Sequence, residues 1–234
     1  MENTNEEKKE LRFSYSALNA FDGCPNRYYL SYIKKERGEK GIALIRGSKL
    51  HKDMEEASSG KSMSQMKDHL FSYNPVLFPV AEWLEEQGMT EPEGIELKIT
   101  NPAFNFTGVI DRIDKFRGGR ILIDWKSGQD RGITPHLKQL AIYDWLYETK
   151  ENKEIDWWGI YYLDHHTNYI VPSDVLLVKE AVQWVESRIK SIREIVDGKR
   201  TFNKCKSWQC KFCEFRKICE EERNDIKGDN TGLP

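Results

Sequence analysis

The sequence predicts an α/β fold, a central mixed β-sheet flanked by helices. Three observations point there. Residues 106–126 alternate apolar and polar side chains around Gly118–Gly119, which reads as a strand, a tight turn and a strand. Residues 156–172 read as a second hairpin extending the same sheet. Helical periodicities precede, separate and follow these hairpins.

The elements follow in order. Residues 1–10 are charged and polar and are expected to form a disordered tail, as is the 220–234 end. Ser14 or Ser16 can cap a first helix, and Pro25, after Cys24, suits the first turn of a second short one. Phe21, Tyr28, Tyr29 and Tyr32 give an aromatic face, read as core packing. In IRGSKLHKDMEEAS, Ser48 can cap a helix whose buried stripe carries Leu50, His51 and Met54. Residues 62–88 read as helical with Pro75 and Pro79 as breaks, a helical insert over about 60–90. GIELKIT, residues 94–100, is a strand containing Glu96.

Asp124 and Lys126 lie two apart on the second hairpin strand and therefore share a face. Asp111 ends the apolar part of the strand before it and can lie beside them. Gln139 and Tyr143 are four apart on the next helix and also share a face. His165 and His166 fall at the tip of the second hairpin, and His69 and His136 have no partner motif. Residues 175–198 form a long amphipathic helix with Val182, Val185, Ile189, Ile192, Ile195 and Val196 as its stripe and Gly198 as its stop.

The chain has 234 residues, enough for one substantial core, and a single domain is expected over 11–219. It has no run of ~18 apolar residues, so no membrane span is expected. The charged N-terminus lacks an apolar signal region, which predicts a cytoplasmic protein. Formal net charge is −2, but two stretches are basic: eight Lys/Arg against two acids over 26–52, and ten against four over 186–217. Local positive charge of this kind suits a phosphate-binding face as well as an ordinary solvated helix.

Five cysteines are present: Cys24, Cys205, Cys210, Cys213 and Cys219. Disulfides are not expected without an export signal. Cys210, Cys213 and Cys219 read C-x2-C-x5-C, and with Cys24 they offer four thiolates, enough for a [4Fe–4S] cluster or a structural Zn²⁺. Zinc ribbons usually pair two C-x2-C units, and only one occurs here.

The ordered set Asp111, Asp124-x-Lys126, Gln139-x-x-x-Tyr143 resembles the PD-(D/E)XK nuclease superfamily, specifically its RecB/AddB-like branch. The Ser-x-Ser-x-Leu…Cys-Pro-x-Arg-Tyr-Tyr phrase and the one-plus-three cysteine layout resemble members that carry an iron–sulfur cluster, including CRISPR-associated exonucleases. The resemblance implies a restriction-endonuclease-like α/β fold. It also implies a cluster on Cys24, Cys210, Cys213 and Cys219 that staples the N-terminal helix to segment 205–219, with Cys205 a free thiol. Gly47-Ser-Lys-Leu-His51 fits the family's metal-ligating Gly-x-x-x-His helix. His51, Asp111, Asp124 and the Trp125 carbonyl would then hold Mg²⁺ or Mn²⁺. Lys126 would act on the attacking water or the developing charge, with Gln139 and Tyr143 holding it or the DNA; Glu96 is not counted as catalytic.

The implied activity is a metal-dependent deoxyribonuclease, an exonuclease on single-stranded DNA or DNA ends, in replication, recombination, repair or CRISPR adaptation. No Gly-x-x-x-x-Gly-Lys-Ser/Thr loop occurs, so unwinding would need a helicase partner. The competing readings are a non-catalytic DNA-binding scaffold in a helicase–nuclease or CRISPR-adaptation complex, and a zinc-stabilised interaction domain.

Overall fold

The computed structural model describes residues 11–38 and 41–220. Of the expected tails, 1–10 and 220–234, all but Glu220 lies outside the described residues. Among the described residues, five strands form one sheet in the order β1-β2-β3-β4-β5: Pro92–Asn101, Phe106–Phe116, Gly119–Lys126, Trp157–Tyr162 and Thr167–Pro172. All neighbours pair antiparallel except β3 with β4, which are parallel. Parallel neighbours need a crossover, here helix α6, Leu137–Glu151.

The other helices are α1 (Tyr15–Gly23), α2 (Pro25–Tyr28), α3 (Ile42–Ser58), α4 (Met63–Tyr73), α5 (Phe78–Glu86) and α7 (Val175–Val196). On one face of the sheet, Leu18 and Phe21 of α1, Leu140 and Leu146 of α6, and Val185 and Ile189 of α7 pack with Ile110, Leu122, Trp158 and Ile160. On the other, Leu50 and Met54 of α3, Leu70 of α4 and Leu84 of α5 pack with Ile121, Ile123, Trp125 and Tyr161. Alternate residues of β3 thus serve opposite cores, as the pleat requires. Burying one such aliphatic side chain contributes roughly 1.5–3 kcal/mol, against ~0–1 kcal/mol for an exposed ion pair. The two cores hold the layers together.

Local details differ from expectation in instructive ways. The β2–β3 turn is Arg117–Gly118, both at positive φ (49° and 81°), the geometry that matches strand twist in a two-residue hairpin. Gly119 instead pairs with Phe116, and a Cβ there would meet the Asp156 carboxylate at 2.2 Å. Ser14 is the N-cap of α1, accepting from the Ala17 amide at 3.2 Å. Ser48 caps nothing: α3 begins at Ile42, and the Ser48 hydroxyl donates to the Leu44 carbonyl at 3.0 Å. Pro79 sits in the first turn of α5, where its missing N–H costs nothing, and does not break the helix. On α7 the buried stripe runs Ala181, Val185, Ile189 and Ile192, with Val196 exposed.

The cysteine staple is overturned. Among the described residues, which include all five cysteines, no group of three or more thiol sulfurs lies within 4.8 Å of one another. The expected cage on Cys24, Cys210, Cys213 and Cys219, whether for [4Fe–4S] or Zn²⁺, is therefore not formed. The thiols take other partners. The Cys205 amide donates to Cys24 Sγ at 3.4 Å, and the Cys210 thiol donates to the Cys205 carbonyl at 3.4 Å. Asn26 Nδ2 donates to Cys219 Sγ at 3.5 Å. Segments 26–29 and 202–214 do meet, through the Asn26 amide on the Asn203 carbonyl at 3.2 Å, the Arg27–Glu214 pair at 3.1 Å and the stacked rings of Tyr29 and Phe202. Hydrogen bonds and ring contacts join them where a metal cluster was expected.

One buried acid ties α6 to β4. Asp144 Oδ2 accepts from the Trp158 indole at 2.8 Å, and burial pushes its pKa up to about 7. A carboxyl raised from about 4 binds a proton in the folded chain that the unfolded chain has lost, so stability falls as pH rises from about 4 to 7. Asp144→Asn keeps an acceptor for the indole and removes the charge. Urea melts should show the variant more stable than wild type at pH 8, by on the order of 3 kcal/mol, with the gap closing toward pH 4. An equal gap at both pH values would contradict this account.

Candidate metal and phosphoryl-transfer site

Helix α3 reaches the end of β3 because residue 47 is glycine. A Cβ on Gly47 would lie 2.6 Å from Ser127 Oγ. One turn further along, His51 faces the same direction, while Leu50 and Met54 anchor the helix in the core beneath. His51 borders an open groove of about 490 Å³ lined also by Leu44, Ser48, Lys52, Glu96 and Ser127.

Asp111 is the joint of the site. Its Oδ2 accepts the Trp125 amide of β3 at 2.7 Å and lies 3.6 Å from His51 Nδ1. Across the ladder, Ile95 pairs with Arg112 and Leu97 with Ile110, so Glu96 falls opposite Asp111 without a register slip. Glu96 has φ +45°, a left-handed conformation inside a strand. Such a residue costs on the order of 1–3 kcal/mol. Among the described residues, the other non-glycine residues at positive φ lie outside strand and helix interiors, at loops, turns and a helix cap. The turned backbone brings the Glu96 carboxylate to His51 and Asp111: one ligand atom from each of the three lies within 4.8 Å of the others.

A second cluster adjoins the first. Lys126 Nζ lies 2.5 Å from Asp124 Oδ2 and donates to Gln139 Oε1 at 2.9 Å. Gln139 Nε2 donates to Asp124 Oδ1 at 2.9 Å and to the Tyr143 hydroxyl at 3.0 Å. Lysine has only donors, so the amide oxygen must face it, and this fixes the Gln139 flip. The close seat of α6 depends on Gly108, where a Cβ would meet Leu146 at 2.7 Å and the Tyr143 ring at 3.1 Å.

Electrostatics follow from burial. Burial and then the Asp111 charge push Glu96 up to about 7, opposed by His51. Burial raises Asp124, with Lys126 pulling it back. Burial alone would lower His51, but its bond to Asp111 and the charges of Asp111, Asp124 and Glu96 raise it. Burial raises the Tyr143 phenol further.

The structure thus gathers His51 with Asp111, and Asp124 with Lys126, Gln139 and Tyr143. The Trp125 amide is on Asp111, and its ring packs in the second core against Tyr161. Two residues join that the sequence reading left aside. Glu96 was placed on a strand, but its left-handed backbone leaves no mark in GIELKIT. Tyr15 of α1 packs on Trp184 with ring centroids 6.1 Å apart. Burial raises its pKa, and Lys126 and Asp124 are the next largest influences. The flanking Ser-x-Ser was its only signal.

Residues 12–77 and 73–220 match the family model for the PD-(D/E)XK nuclease superfamily. The chain belongs to that superfamily. A solved structure of a provisionally assigned exonuclease from Eubacterium rectale shares 17% identity, covers 90% of this chain and 92% of its own, and superposes with a TM-score of 0.56. LHK-Exo, solved in complex with dAMP, shares 13% identity over 80% of this chain and 90% of its own, with a TM-score of 0.49. No curated protein matches. The RecB/AddB-like branch and its iron–sulfur-bearing, CRISPR-associated members are not supported, because the cysteine cluster expected of such members is not formed among the described residues. No helix among the described residues is long and apolar enough to cross a membrane.

The donor set suits a divalent cation. It combines one imidazole and two carboxylates, with crowded negative charge that a cation would relieve. Asp124 Oδ2 beside them is buried with the Lys126 ammonium as its counter-charge. Cation binding must displace the proton that Glu96 holds below about pH 7. Mn²⁺ titrated calorimetrically should therefore bind more tightly at pH 8 than at pH 6. Glu96→Gln should bind more weakly and show a shallower rise with pH. An unchanged pH slope in that variant would remove Glu96 from the site.

Proposed function

We propose that this protein is a divalent-cation-dependent deoxyribonuclease, an exonuclease acting on single-stranded DNA or DNA ends. The observation that supports this most is the juxtaposition of the His51–Glu96–Asp111 group with the Asp124–Lys126–Gln139 network across two adjoining strands. His51, Glu96 and Asp111 would hold the cation, with Asp124 and the Trp125 carbonyl as further ligands. When bound, such an ion supplies charge stabilisation for a phosphoryl group and lowers the pKa of water.

The chain's own residues do the rest. Lys126 is held between a carboxylate and an amide oxygen, so its ammonium is fixed in direction. In that position it can orient a water against phosphorus or meet charge growing on the phosphoryl oxygens. Gln139 keeps Lys126 and Asp124 at constant separation and is itself steadied by Tyr143. The open groove beside His51 and Lys52 admits a strand. Segments 26–52 and 186–217 supply local positive charge for its phosphates.

The test is digestion of end-labelled single- and double-stranded DNA with Mg²⁺ or Mn²⁺. Wild type should release nucleotides from ends. Lys126→Ala should lose about 10²–10³-fold or more in turnover while retaining most DNA affinity. Near-normal turnover in that variant, with the fold confirmed by circular dichroism, would exclude Lys126 from the mechanism.

A further inference from the structure

We propose that Lys138, Trp184 and Tyr15 form a strand-binding subsite beside the catalytic network, in which Lys138 takes a backbone phosphate of single-stranded DNA. This rests on the nucleic-acid reading above and adds a contact that neither the motifs nor the metal group includes. Three elements distant in sequence build it. Lys138, in the first turn of α6, places Nζ 4.5 Å from the centroid of the Trp184 ring on α7. Trp184 packs on Tyr15 of α1, and its indole donates to Asp22 Oδ2 at 2.8 Å. Arg188 pairs with the same carboxylate through Oδ1.

The charges are arranged unequally. Asp22 is satisfied by Arg188 and the indole. Lys138 is exposed and has no carboxylate partner among the described residues. An ammonium steadied by an aromatic face is positioned without being neutralised, so its charge stays available for an anion. Simple packing of α1 on α7 would need Tyr15, Trp184 and Asp22, but it has no use for the lysine. Lys138 also precedes Gln139, which touches both Asp124 and Lys126. The Trp184 ring under Lys138 packs on Tyr15, which lies in the field of Lys126 and Asp124, so a phosphate on Lys138 would lie beside the catalytic network. Aromatic faces beside a basic track are the usual means of holding single strands.

The experiment measures binding of a labelled single-stranded oligonucleotide to the full chain in Ca²⁺ across a salt series. Lys138→Ala should melt like wild type, bind several-fold more weakly, and lower the slope of log affinity against log salt by ~0.7, the value for one phosphate. Lys138→Arg should restore the slope. In oligonucleotides carrying one neutral methylphosphonate, the Lys138→Ala penalty should vanish at one position. Wild-type affinity and slope in Lys138→Ala, or a penalty that no methylphosphonate removes, overturns the subsite. Cleavage by the same wild-type preparation in Mg²⁺ or Mn²⁺ is read separately. Binding without cleavage would overturn the nuclease reading and leave the subsite standing, cleavage without binding would overturn the subsite alone, and absence of both would overturn both.

Discussion

The site depends on one hydrogen bond, from the Trp125 amide to the Asp111 carboxylate at 2.7 Å. It ties the carboxylate of β2 to the backbone of β3 between Asp124 and Lys126. The same oxygen faces His51 from the helical layer on one side of the sheet. Gln139 and Tyr143 come from the layer on the other. Asp111 is thus where two layers and two strands are referred to one point. The glycines at 47 and 108 matter for the same reason: each removes a side chain where a helix must close on that point.

The left-handed backbone at Glu96 is the clearest mark of function in the fold. A glutamate in that conformation inside a strand is held there by the ladder around it, which keeps register on both sides. The result is a third candidate ligand atom within 4.8 Å of those of His51 and Asp111. Its carboxyl, raised to about 7, shows the resulting crowding. Strain and a raised carboxyl pKa at one residue are what a site prepared for a positive ion would show.

Much of this was legible in residues. The hairpin of β2 and β3, the face shared by Asp124 and Lys126, and the face shared by Gln139 and Tyr143 follow from periods of two and 3.6. His51 was legible only through its Gly47 company, and the reason is the close approach to Ser127. Glu96 was not legible, because a backbone dihedral leaves no trace in a hydrophobic pattern. Ser48 misled because a serine before an apolar stripe reads as a cap, whereas α3 had already begun at Ile42. The cysteines misled further. C-x2-C-x5-C fixes order along the chain but not where sulfurs point, and here they point to the backbone of residue 205 and to Asn26.

The most direct measurement is anomalous scattering from crystals soaked in Mn²⁺. A peak is expected within bonding distance of the His51 imidazole and of the Glu96 and Asp111 carboxylates, with the Trp125 amide still on Asp111. A peak elsewhere, or one that His51 and Glu96 do not touch, would contradict it.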